Sequence, residues 1–115
     1  MSKRPFPFLI ADICGAIAKI ERYTRGLSKD ALFGDEKSVD AVVRNLEIIG
    51  EAANRLPPEF RREYPEIEWT KIIGLRHRIV HEYFGIDPEI IWQILQSDLP
   101  KFRDAVERIR RTLNP

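Results

Sequence analysis

Asp35-Glu-Lys-Ser-Val39-Asp-Ala-Val42-Val-Arg-Asn-Leu46-Glu-Ile-Ile49-Gly-Glu-Ala-Ala53-Asn-Arg-Leu56 is the stretch that decides the fold. Its apolar residues return at three- and four-residue steps, through Val39, Val42, Leu46, Ile49, Ala53 and Leu56. That spacing places them on one stripe of an α-helix and leaves charged residues on the other side. Pro57-Pro58 ends the pattern, because proline has no N–H for the helical ladder and disfavours helix in the residue before it.

The same period appears on both sides of this segment. Upstream, Leu9, Ile13, Ala16 and Ile20 interleave with Ile10 and Ile17, which predicts a helix over roughly residues 7–25. Gly26 stands where a helix C-terminus favours glycine, and Ser28 is placed to cap a short following turn. Downstream, residues 58–65 read as a polar connector with one helical turn. Trp69, Ile72, Ile73, Ile79 and Val80 carry the period again from Glu68 to Tyr83. Gly85 breaks it, and Asp87-Pro88 reads as an N-cap followed by proline at the first helical position. Ile90, Ile91, Ile94 and Leu95 mark a fourth helix. Leu99, Phe102, Ala105, Val106, Ile109 and Leu113 mark a last one, bent near Pro100. No alternating strand pattern or internal repeat competes with this reading. The expectation is an all-α, up-and-down antiparallel bundle of four to five helices, one domain over residues 1–115.

Composition narrows the function classes. The 115 residues are 43% hydrophobic and 32% charged, an ordinary globular balance. Nineteen Lys and Arg stand against 18 Asp and Glu, for a net charge of +1. Any basic site must therefore come from local clustering. Cys14 is the one cysteine, so no disulfide can close within the chain, and a reducing cytoplasmic setting is expected. No apolar run approaches the roughly 18 residues of a membrane span. The start of the chain lacks the cleavage pattern of a signal peptide.

Chemistry concentrates in Arg76-His-Arg-Ile-Val-His-Glu-Tyr83, which holds both histidines, His77 and His81. Histidine can take and give a proton near neutrality, and arginine offers a planar fork of donors suited to phosphate. These residue types fit metal-independent RNA cleavage, in which the ribose 2′-hydroxyl attacks the neighbouring phosphorus. On a straight helix, Arg76 and Tyr83 lie within about 20° of each other, whereas Arg76 and His81 are about 140° apart. One copy of the helix does not aim both at one point, which favours a site shared across a dimer. On composition alone, a satisfied pair or a solvated face is the commoner role for such residues. A metal site is set aside. His77 and His81 stand four apart, but Arg78 occupies the place of a metalloprotease glutamate, and no third histidine or cysteine cluster exists.

The octapeptide resembles the Arg–four residues–His–X–Tyr motif of the HepT-like toxins, small helical ribonucleases of the HEPN superfamily. Its surroundings are similar too: Asp40 to Ala53 looks like the family's second helix. Trp69-Thr-Lys-Ile-Ile-Gly-Leu-Arg leads into the motif, Tyr83-Phe-Gly-Ile-Asp-Pro-Glu-Ile-Ile-Trp follows it, and Asp98-Leu-Pro precedes the last helix. The resemblance covers nearly the whole chain. It implies a homodimeric toxin that cuts RNA in a cleft between two motif helices, with Arg76 and His81 as the catalytic pair and no cofactor. Tyr83 matches the tyrosine to which an antitoxin, a nucleotidyltransferase of the MntA type, attaches AMP. His77 stands where the family often has asparagine, and a supporting role there is retained by a polar residue. Arg44, Asn45, Glu47 and Glu51 match polar positions of the second helix, with solvated face or intersubunit pairing as the leading expectation. Two other functions stay open: a non-catalytic helical partner or substrate of a nucleotidyltransferase, and a simple RNA-binding bundle. The latter is disfavoured by the near-zero net charge and the lack of an aromatic stacking platform.

Overall fold

A computed structural model describes residues 5–79 and 85–113. Every regular element longer than a single bridge among them is helical. Helix α1 runs over Phe6–Thr24, α2 over Lys29–Phe33, α3 over Glu36–Arg55 and α4 over Pro58–Arg62. Helix α5 follows at Trp69–Ile73, α6 at Leu75–Ile79 and α7 at Pro88–Gln93. A π-helical turn over Ile94–Asp98 then leads directly into α8 at Leu99–Leu113.

The stripes read from sequence become the core. Ile10, Ile13, Ile17 and Ile20 of α1, Leu46 and Ile49 of α3, and Phe102, Val106 and Ile109 of α8 are buried in one cluster. Helix α1 packs against both α3 and α8. Leu9 and Asp12, early in α1, line a groove with Ala52 and Arg55, late in α3, so these two helices run antiparallel. Arg103, early in α8, pairs at 2.5 Å with Glu21, late in α1, while Cys14 in mid-α1 senses Glu107 and Arg110. Helix α8 is therefore also antiparallel to α1.

Local signals act where the sequence places them. Gly26 adopts a positive φ of 78° just beyond α1, a region that side chains with a Cβ disfavour. The Ser28 hydroxyl accepts from Ala31 N–H at 3.1 Å, capping α2. The Asp87 carboxylate accepts from the N–H groups of Glu89 at 3.1 Å and Ile90 at 3.3 Å, capping α7. Arg61 of α4 donates to the carbonyls of Ala53 and Asn54, which α3 leaves open at its C-terminus.

Two expectations are corrected. The helical segments outnumber the expected four to five, and the helix expected from Glu68 to Tyr83 is interrupted at Gly74. Gly74 follows the last turn of α5, and its N–H returns to the Thr70 carbonyl at 3.0 Å. The N–H groups of His77 and Arg78 then both reach the Gly74 carbonyl, so a new helix starts there. Gly50 makes the break compatible with packing. A Cβ there would stand 3.1 Å from the Ile72 carbonyl oxygen and 3.3 Å from that of Ile73. Only a glycine lets the end of α5 come this close to α3.

The bend expected near Pro100 takes the form of the π-helical turn. Pro100 has no N–H for the Gln96 carbonyl, and its ring would crowd that carbonyl in a regular helix. Leu99 N–H instead reaches back five residues to Ile94 O. Ile94 and Leu99 are both buried, so the wider turn carries the apolar stripe from α7 into α8 across a five-residue step.

Candidate active site

The described residues of helix α6 are Leu-Arg-His-Arg-Ile, and its orientation follows from which of them go inside. Leu75 and Ile79, four apart on one face, are fully buried. Arg76 and His77 are consequently exposed. Arg78 is partly buried, on the opposite side of the helix from Arg76 by about 200°. Its Nη2 donates to Asp98 Oδ2 at 2.8 Å.

Arg76 stands where two open grooves meet. One, of about 320 Å³, runs between α1 and α3 and is lined by Asp12, Arg44, Glu47, Glu51 and Arg55 as well as Arg76. The other, of about 450 Å³, lies between α3 and the α5–α6 turn and includes Glu47, Glu51, Asn54, Thr70, Arg76 and His77. Glu47 and Glu51 border both. Glu51 also accepts from Arg55 Nε at 3.2 Å, an exposed pair one helical turn apart. The first groove thus carries three arginines and three carboxylates. Its electrostatics are balanced, not basic, so an anion bound there would gain from Arg76 only with the carboxylates turned away or paired.

Of the residues singled out in the sequence, the structure brings together Arg76, His77, Glu47 and Glu51, with Arg44 also lining the first groove. Asn45 is separated from them. It is buried, and its Nδ2 donates to the Ala41 carbonyl at 2.8 Å, one turn back along α3. His81 and Tyr83 lie outside the described residues. Among the described residues, no three His, Cys, Asp or Glu side chains gather as a metal-ion ligand set. No helix of these residues is long and apolar enough to cross a membrane.

The sequence reading passed over the Arg78–Asp98 pair and Gly50. Arg78 and Asp98 are twenty residues apart, and helical periodicity carries no signal at that separation. Gly50 sits inside a regular apolar period, where it reads as an interruption of packing and not as a point of close approach.

The family model for ribonuclease HepT-like proteins matches residues 13–109, a span that contains Arg76 to Tyr83 and the whole of α3 and α5. The chain belongs to the HepT-like ribonuclease family. A probable ribonuclease HepT of Thermococcus cleftensis is 37% identical over 109 residues, covering 95% of this chain and 99% of that protein. A putative RNase of Methanocaldococcus jannaschii is 35% identical over 107 residues, 93% of this chain and 98% of its own length. A putative RNase of Caldanaerobacter subterraneus is 37% identical over 107 residues, with 93% and 95% covered. No solved structure matches the chain. In this HepT-like chain the motif arginine is thus a surface residue of α6, held in place by its buried neighbours Leu75 and Ile79.

Proposed function

We propose that this protein is an endoribonuclease and the toxin of a toxin–antitoxin pair. It cleaves RNA without a metal ion, in a cleft formed by two copies of the chain. The observation that carries this reading is Arg76, exposed at the junction of two grooves in a chain of a ribonuclease family. Arg76 holds the non-bridging oxygens of the scissile phosphate and stabilises the charge that grows there. His81 of one copy takes the proton from the 2′-hydroxyl as that oxygen attacks phosphorus, and a protonated His81 of the other copy gives a proton to the departing 5′ oxygen, leaving a 2′,3′-cyclic phosphate and a 5′-hydroxyl. The balanced charge around Arg76 supports a shared cleft, since a second copy adds another arginine and another histidine to the same phosphate. His77, beside Arg76 on the second groove, supports that placement. Attachment of AMP to Tyr83 by an MntA-type nucleotidyltransferase places phosphate next to the cleft and silences it by charge and bulk.

The test is cleavage of RNA by purified protein in EDTA, with His81→Ala and Arg76→Ala alongside. Each variant is expected to lose roughly a hundredfold or more in rate. Helical content should be retained, because an exposed arginine adds little to folding. Equal cleavage by wild type and His81→Ala sinks the assignment. Intact-mass measurement after incubation with the nucleotidyltransferase and ATP tests the switch, and an added AMP that survives Tyr83→Phe rules out that tyrosine.

The three carboxylates of the first groove favour a second reading, in which this face docks a protein and the chain is the non-catalytic partner or substrate of a nucleotidyltransferase. The EDTA assay separates the two: that reading requires no cleavage by wild-type protein.

A further inference from the structure

The described part of helix α6, Leu75–Ile79, starts afresh after the break at Gly74. Tertiary anchors set how it sits against the rest of the fold. Leu75 and Ile79 supply the apolar ones. The Ile79 carbonyl accepts from Asp87 N–H at 3.0 Å. The polar anchor is Arg78, whose guanidinium spans from α6 to Asp98 at the end of the π-helical turn.

That pair is an unusual choice for stability alone. Its side chains are 29% and 24% exposed, so both charges are largely withdrawn from water. Among the described residues, buried Arg78 Nη1 has no hydrogen-bond partner. A half-satisfied buried ion pair is seldom better for folding than apolar residues of the same volume. What it does provide is direction, because a guanidinium bound to a carboxylate fixes orientation in a way that apolar contact does not. Arg78 points about 200° away from Arg76 around the helix. Fixing the one to the α7–α8 junction aims the other at the grooves.

From this we infer that Arg78 and Asp98 are positioning residues, whose ion pair sets the rotation of α6 and thereby the presentation of Arg76. The inference rests on the reading of Arg76 as the phosphate-holding residue. The π-helical turn has a part in it: Asp98 is its last residue, so the wide turn that Pro100 imposes also sets where the carboxylate meets Arg78.

The experiment uses the full chain, with Asp98→Asn and the double variant Arg78→Met/Asp98→Leu, each also made on Arg76→Ala. Three quantities are read: thermal unfolding, amide hydrogen exchange along α6, and RNA cleavage in EDTA. The double variant is expected to melt at or above the wild-type temperature, yet to cleave RNA about ten- to a hundredfold more slowly, the order of loss for a misplaced catalytic group. On the Arg76→Ala background, removing the pair should cost no further activity, whereas general damage to the fold would lower both backgrounds alike. The α6 amides of Asp98→Asn should exchange at least tenfold faster, with those of α1 and α3 unchanged. Wild-type cleavage rates in the double variant, or a further equal loss on Arg76→Ala, overturn the inference. If wild-type protein cleaves no RNA, the ribonuclease reading falls and exchange alone decides: faster α6 exchange in Asp98→Asn upholds the anchor, and unchanged exchange removes it.

Discussion

Helix α3 and helix α6 lie side by side, but they hold their places by different means. Over its 20 residues, α3 buries Val42, Leu46, Ile49 and Ala53 along one stripe. Its position is fixed many times over. Among the described residues, buried Leu75 and Ile79, the Arg78–Asp98 ion pair and the hydrogen bond from Asp87 N–H to the Ile79 carbonyl hold α6. The first supports the fold and the second presents the motif arginine. A residue needed at the surface cannot contribute much core, so the element carrying it must borrow stability from neighbours.

The comparison is broken most forcefully at α3. Leu46→Ala is expected to cost about 2–5 kcal/mol in denaturant unfolding, because it empties a fully buried site between long helices. A much smaller loss would mean that α3 is not the support described. Gly50→Ala tests the contact between the two regions. Alanine is the better helix former by roughly 1 kcal/mol. Its Cβ, however, would press on two backbone carbonyls at 3.1 and 3.3 Å, and backbone cannot swing aside as a flexible side chain can. The variant should be destabilised by about 1–3 kcal/mol, with faster hydrogen exchange in α5 and α6 than in α1. A stabilised Gly50→Ala would show that α5 yields freely.

The smallest effect belongs to α1 and appears only at high pH. Burial first, and the Glu107 carboxylate second, push the Cys14 thiol up to about 11 from its ordinary 9.0. The folded state therefore favours the protonated thiol. Its contribution is complete below pH 9 and is lost as pH rises through 11. At pH 10 the loss is about 1 kcal/mol. Unfolding of wild type and Cys14→Ala compared at pH 8 and pH 10 measures it: the gap between them should shift in favour of Cys14→Ala at the higher pH. An unchanged gap would mean that the thiol is hydrated.

The long helices were legible because their information is local and repeated. Each turn of α3 restates the stripe, and a cap such as Ser28 or Asp87 acts within three residues of itself. Gly74 was not legible as a break. Ile72, Ile73 and Ile79 keep the apolar period on both sides of it, and the restart depends on how close α5 comes to Gly50. The Arg78–Asp98 pair joins two segments whose meeting is a property of the tertiary fold. At the site, the exposure of Arg76 follows from the burial of Leu75 and Ile79; the apolar period included Ile79 but not Leu75. The expected 140° offset between Arg76 and His81 assumed a straight helix, and the break at Gly74 precedes that stretch. His81 and Tyr83 lie outside the described residues.

Trp69, at the start of α5, gives this arrangement an optical handle. Its indole N–H is shared between the Arg61 and Tyr64 carbonyls, each at 3.1 Å, and its ring meets Phe102 of α8 edge-on with centroids 6.0 Å apart. The chromophore therefore sits in the joint between the connector, α5 and α8, seven residues before Arg76. With Trp92→Phe removing the second indole, emission from Trp69 becomes a single-site signal for the seating of that joint. Events that loosen the motif helix would then register as a change in colour while the rest of the molecule stays folded.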